Sequence, residues 1–158
     1  MVESVDKEVM AKQERRVRAR RSEGCRVELQ ARKHAFVADE PAQGGGTDTG
    51  PTPRELALGA LSACITVITN KVAEGLDFNV IAQEVEVRGT ADPRGAKDAD
   101  NGISPNFDYV EAKIHLTTDE PDERVEELKR QHHGRCPISA LYRESGCELV
   151  EEWIVKRP

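Results

Sequence analysis

The chain has 158 residues, 37% hydrophobic and 33% charged, with a formal net charge of −6. That length suits one domain with a core of its own, and the acidic balance argues against nucleic acid as the main partner, because phosphate binding needs a clustered positive face. No apolar signal-peptide region stands at the N-terminus, and the longest apolar run, residues 56–68, is shorter than the roughly 18 residues of a membrane span, so a cytoplasmic protein without membrane insertion is expected.

Residues 1–24 read as a charged helix with a weak apolar side of Val2, Val5, Val9 and Met10, stopped by Gly24. They are set apart as an N-terminal arm, with residues 25–158 as the domain. The arginines at 15–16 and 20–21 are interspersed with Glu14 and Glu23, the pattern of a solvated helix face. From 25 to 37, Val27, Leu29, Ala31, Ala35 and Val37 fall on one face at a period of two, which predicts a strand bent near His34. Residues 39–51, rich in Gly, Pro, Asp and Thr, form a loop on turn chemistry.

The helix that follows carries the clearest signals. Thr52 is a suitable N-cap, Pro53 fits the first helical position, and Glu55 stands where a capping-box carboxylate belongs. Gly75 is its expected stop, giving about 33 Å of helix. Residues 56–68 are apolar nearly all round, so a buried central helix is expected. Its small residues Ala57, Gly59, Ala60, Ser62 and Ala63 permit close approach of another backbone.

Strands are predicted over 79–87 and 107–116, separated by a polar loop at 92–105. A helix over 119–132 turns Val125 and Leu128 inward, and a short helix starts at Cys136-Pro137 and ends at Gly146. A closing strand over 147–155 puts Leu149, Trp153 and Val155 on its core side. This order is not regular βαβ alternation, so the fold class is α+β.

Four cysteines occur without a CxxC, which removes support for a thioredoxin-type site or a zinc ribbon. Cys136 opens a helix, where the partial positive charge of the terminal amides lowers a thiol pKa; Arg135 and His133 are close in sequence. The plainer alternative is that Cys136-Pro137 only starts the helix. Cys64 lies mid-helix among apolar neighbours that disfavour its thiolate, so it is either a small core residue or a reactive thiol with a cation brought by the fold. If the fold unites the two, one can be oxidised and the other can resolve it as a disulfide. Cys25 and Cys147 read as packing residues. His132-His133 beside Cys136 is a poor match to zinc-ligand spacing, and no metal is expected.

Asp39-Glu40-Pro41, the glycines at 44–46 and the run from Asp48-Thr49-Gly50-Pro51-Thr52-Pro53 to Cys64 resemble the central segment of the OsmC/Ohr family, the osmotically inducible and organic hydroperoxide resistance proteins. Arg135-Cys136-Pro137-Ile138-Ser139 resembles that family's second cysteine motif, at a similar separation. The resemblance covers residues 25–158. It implies an OsmC-like intertwined dimer with antiparallel sheets around a long central helix, and an active site at each interface. It also implies a peroxidase acting on organic hydroperoxides in oxidative stress defence. Cys64 would be the peroxidatic thiolate and Cys136 would resolve it, with an external dithiol as reductant and no metal or organic cofactor.

In this family a glutamate commonly follows the proline that starts the central helix. Here Arg54 holds that place and Glu55 stands one residue on, turned about 100° around the helix. Glu55 is therefore either a site carboxylate or only a helix cap. The activating arginine is usually contributed by the N-terminal strands, which makes Arg32 the candidate, with Arg26 behind it. Two further readings stay open. One is a non-catalytic member binding a small apolar or thiol-bearing ligand at the dimer interface, and the other is a redox sensor acting through the N-terminal arm.

Overall fold

A computed structural model describes residues 12–158, which fall into two units, one up to Pro53 and one from Arg54 onward. The apolar side expected from Val2, Val5, Val9 and Met10 lies outside the described residues.

In the first unit, β1 (Arg18–Glu23), β2 (Arg26–Ala31) and β3 (His34–Ala38) form an antiparallel sheet in the order β1-β2-β3. The helix expected over residues 1–24 is thus replaced by strand at 18–23. The alternation Arg18, Arg20, Ser22 against Ala19, Arg21 suits a pleated ribbon, and Arg20 pairs across it with Glu28 at 2.9 Å. Gly24, at φ 54°, makes the turn into β2 rather than stopping a helix. The single bent strand expected over 25–37 is also corrected. The chain reverses at Arg32-Lys33, so Ala31 pairs with His34, and Arg32 takes the positive φ (55°) that a two-residue hairpin turn favours.

The loop after β3 is built on one carboxylate. Asp39 is 1% exposed. Its Oδ1 accepts the Glu40 N–H, while Oδ2 accepts the N–H and hydroxyl of both Thr47 and Thr49 at 2.6–3.1 Å. The Thr47 hydroxyl above all, with the other donors, holds the Asp39 carboxyl well below the usual carboxylate range. Gly46 passes so close to the Glu40 carbonyl that a Cβ would sit 1.8 Å from its oxygen. The Asp, Gly and Thr positions of this loop are therefore one hydrogen-bonded device.

The second unit is organised by α1 (Pro53–Leu76). The helix runs past Gly75 and closes at Asp77, which is left-handed at φ 50°, where the Phe78 N–H returns to the Ala73 carbonyl at 2.9 Å. Leu61, Ile65, Thr69, Val72 and Ala73 are buried along one side, while Ala57, Gly59, Ala60, Ala63 and Val67 are exposed. A helix expected to be buried all round is covered on one side only, and at 24 residues it is also long and apolar enough to cross a membrane.

β4 (Ala82–Thr90), β5 (Tyr109–Thr117) and β6 (Glu148–Lys156) form the second sheet, β4-β5-β6. β4 and β5 are antiparallel, but β5 and β6 are parallel, so this sheet is mixed rather than antiparallel. A parallel pair needs a crossover, supplied here by α2 (Asp122–His133) and α3 (Pro137–Glu144). Val110, Ala112, Ile114 and Leu116 alternate inward along β5 and are fully buried. Leu61, Ile65, Val110, Ala112 and Ile114 form one core cluster with Cys136 and Cys147, and Val72, Phe78, Leu116, Val125 and Leu128 form a second. Each Leu, Ile or Val so buried contributes about 1.5–3 kcal/mol. The class is α+β, as expected.

Asp39→Asn is expected to lower the thermal midpoint at neutral pH. The wild-type carboxyl is depressed in the folded state, so its contribution is complete above the unfolded pKa and is lost as pH falls below about 4. Melting curves of the two proteins should therefore converge in acid.

Candidate active site

The two cysteines meet between α1 and the head of α3. Cys64 lies on the flank of α1, between the buried ridge of Leu61 and Ile65 and the exposed face of Ala60 and Ala63, and is half-buried. Cys136 is the N-cap of α3, with extended backbone (φ −82°, ψ 105°) and Pro137 following at the first helical position. The Ala140 N–H donates to the Cys136 carbonyl at 3.1 Å, closing the first turn. Cys136 is 2% exposed, and its thiol donates to the Cys64 sulfur at 3.4 Å. A disulfide needs about 2.05 Å, so a closure of about 1.4 Å would bond them.

The electrostatics of Cys64 are set by opposing effects. Burial pushes its thiol above the ordinary value, and the neighbouring Cys136 adds to this. The Ile138 backbone N–H and the charge of Lys71 pull the other way. Sequence reasoning missed both stabilisers. Lys71 was legible as the residue seven positions on, two turns along the same helix face. The Ile138 amide was not, because its aim depends on how α3 is laid against α1.

The other expected site residues are placed elsewhere. Glu55 is exposed in the first turn of α1, nine residues and about 13 Å of helix rise before Cys64. Arg54 is a residue further away. Arg32 is exposed in the β2–β3 turn of the first unit. Arg26 is engaged by Glu28, Ser22 and Thr49. Cys147 is buried in the core, as a packing residue should be, but Cys25 is exposed, which corrects the same expectation for it. Among the described residues, no cluster of three or more His, Cys, Asp or Glu side chains is arranged to hold a metal ion.

An apolar groove of about 430 Å³ lies beside the sulfurs, lined by Ala57, Ala60, Phe107, Ile138, Leu141 and Tyr142 among others. Its lining includes Ile138, whose amide faces Cys64, and Ala60, one helical turn before Cys64. Leu141, on its rim, is 62% exposed. A recess of about 970 Å³ in the first unit is bounded instead by Arg15, Arg16, Arg18 and Arg32 with Glu14 and Gln30, and holds no thiol.

A long helix and a helix head laid over a mixed sheet, with two thiols in contact between them and an apolar groove alongside, define an α+β protein with a paired-thiol site. The chain belongs to the OsmC-like protein family, whose model matches residues 45–151. No curated protein matches it by sequence. Among solved structures, it is similar to an OsmC-like protein from Mycoplasma pneumoniae, with 14% identity and a TM-score of 0.78 over 92% of this chain and 99% of that one. It is also similar to an organic hydroperoxide resistance protein OsmC from Legionella pneumophila, with 18% identity and a TM-score of 0.63 over 92% and 98%. The organic hydroperoxide resistance protein OhrB of Bacillus subtilis aligns with 21% identity and a TM-score of 0.56 over 91% and 98%. At these identities the likeness establishes the fold.

Gly89 supports the groove from below. A Cβ there would meet the Phe107 ring at 2.8 Å and Leu58 at 3.1 Å. Gly89→Ala is expected to push Phe107 toward the groove and destabilise the fold by about 1–3 kcal/mol, which denaturant unfolding would measure.

Proposed function

We propose that the protein is a thiol peroxidase that reduces organic hydroperoxides through Cys64 and Cys136, and so serves in oxidative stress defence. The observation that carries this reading is the 3.4 Å contact between the two sulfurs. The Cys64 thiolate attacks the terminal oxygen of the hydroperoxide. The O–O bond breaks, the leaving alkoxide takes a proton and departs as alcohol, and Cys64 becomes a sulfenic acid. The Cys136 sulfur then attacks the Cys64 sulfur, the S–O bond breaks, and water leaves as the disulfide forms. An external dithiol reduces that disulfide by exchange. The groove of Phe107, Ile138 and Leu141 takes the organic part of the substrate, since its lining suits an alkyl or aryl group better than water.

Burial of Cys64 raises its pKa, so this chemistry needs a cation. We assign that role to Arg32, which is exposed in the β2–β3 turn. Glu55 is assigned to orienting that arginine. Both assignments go with a homodimer. The exposed Ala57, Gly59, Ala60, Ala63 and Val67 form a small apolar face on α1 that a second copy would cover. Four free thiols suit a reducing, cytoplasmic compartment. A second reading, a non-catalytic member that binds a small apolar ligand, is favoured by the groove together with the raised Cys64 pKa.

The reduced protein should consume one equivalent of cumene hydroperoxide and form a Cys64–Cys136 disulfide seen by mass spectrometry, with Cys64→Ser abolishing both. Arg32→Ala is expected to slow the peroxide step by about tenfold or more and to raise the midpoint of Cys64 thiolate absorbance. Unchanged peroxide with both thiols still reduced would leave the ligand-binding reading in its place. Val67→Glu should shift sedimentation toward monomer, because it puts a charge in the middle of the apolar α1 face.

A further inference from the structure

Resting on the reading of Cys64 and Cys136 as a redox pair, we propose that Glu151 is a positioning residue, clamping the head of α3 so that the Cys136 sulfur is held within reach of Cys64.

The argument begins with a residue out of place. Along β6, Leu149, Trp153 and Val155 share one face and pack into the two core clusters. Glu151 falls on that face by parity, and its side chain is only 10% exposed. An uncompensated carboxylate there is costly, and an apolar side chain would serve stability at least as well. Glu151 stands beside Ala112, the smallest inward residue of β5, in the parallel ladder, so a polar group from above has room to reach it.

That group comes from α3. The Ser139 hydroxyl, fully buried, donates to Glu151 Oε1 at 2.7 Å, and the Arg143 guanidinium donates to Oε2 at 2.9 Å. Arg143 also meets His133 Nδ1 at 3.2 Å, and that nitrogen lies 3.8 Å from Glu151. Positions 136, 139 and 143 are spaced i, i+3 and i+7, so Cys136 and both contacts to Glu151 lie on one side of α3. An eight-residue helix has little rigidity of its own, and this two-point grip on the edge strand β6, with Ser139 in the first turn of α3, fixes its head. With the sulfurs 3.4 Å apart in the dithiol, the closure to a disulfide is short, and the effective concentration of one thiol at the other is high. Releasing the grip lets Cys136 sample positions from which the bond cannot form.

The test separates this role from peroxide chemistry. Equilibrate the reduced protein with oxidised and reduced glutathione, in which one oxidised glutathione gives two reduced glutathiones per protein disulfide formed. Ser139→Ala and Glu151→Gln, checked for native circular dichroism, should each lower the equilibrium constant for the Cys64–Cys136 disulfide by about tenfold, ~30 mV in potential. Arg143→Lys, which keeps a cation for Glu151, should stay near wild type where Arg143→Ala does not. After one equivalent of cumene hydroperoxide, the Ser139→Ala protein should leave a Cys64 sulfenic acid that dimedone traps, where the wild type closes its disulfide. Folded variants whose constants stay within about twofold of wild type would overturn the proposal, as would a wild type that forms no Cys64–Cys136 disulfide in glutathione. A disulfide that forms and is weakened by the variants, in a protein inert to hydroperoxides, would uphold the clamp and sink the peroxidase.

Discussion

The parallel pairing of β5 with β6 constrains the rest of the second unit. Two parallel neighbours cannot be joined by a tight turn, so the chain must leave the end of β5, cross the sheet and begin again at the opposite end. It does so through α2 and α3, on the face where α1 already packs its Leu61 and Ile65 against Val110, Ala112 and Ile114. The break between the two crossover helices falls at residues 134–136, and there the N-cap of α3 comes to rest on the flank of α1. A contact between residues 72 positions apart is thus a consequence of strand direction.

That location also decides the chemistry available to the sulfurs. Cys64 is mid-helix, where neither end of the macrodipole helps its thiolate, and burial works against it. What offsets burial within the second unit is local and weak: one backbone amide from α3 and the charge of Lys71 two turns along α1. In the proposed peroxidase reading, such a site would need a further cation to activate Cys64. The same unit leaves a small-residue face of α1 and an apolar groove uncovered next to the sulfurs, so the demand for a cation and the demand for cover arise at one place.

The two interior carboxylates Asp39 and Glu151 differ in kind. Asp39 is saturated by backbone and hydroxyl donors from its own loop, which makes it a local organiser that folds with its neighbours. Glu151 is satisfied only by side chains of another element, and its partners exist once α3 has docked. The first kind builds a loop, while the second ties a helix to a sheet and has consequences at the helix head. His132 is a third case, buried against Trp153 with a ring separation of 5.3 Å and with burial depressing its pKa, so it packs as a neutral aromatic ring.

The sequence by itself determined the elements whose signals are local. Proline at the first turn, the apolar run along residues 56–68 and alternation along 107–116 marked α1 and β5, and the two cysteine motifs marked the pair that the fold unites. Periodicity could not tell a charged helix from a charged strand over 18–23, because an arginine-rich ribbon exposed on both faces has no apolar pattern to read. Nor could it see the reversal at Arg32, where no glycine announces a turn. Tertiary structure alone decided which side of α1 is buried, that β6 runs parallel to β5, and that Glu151 points inward to Ser139 and Arg143. The physical reason is the same in each case. Local propensity acts over a few residues, whereas burial, strand direction and the partners of a buried charge are set by groups that are neighbours only after the chain has folded.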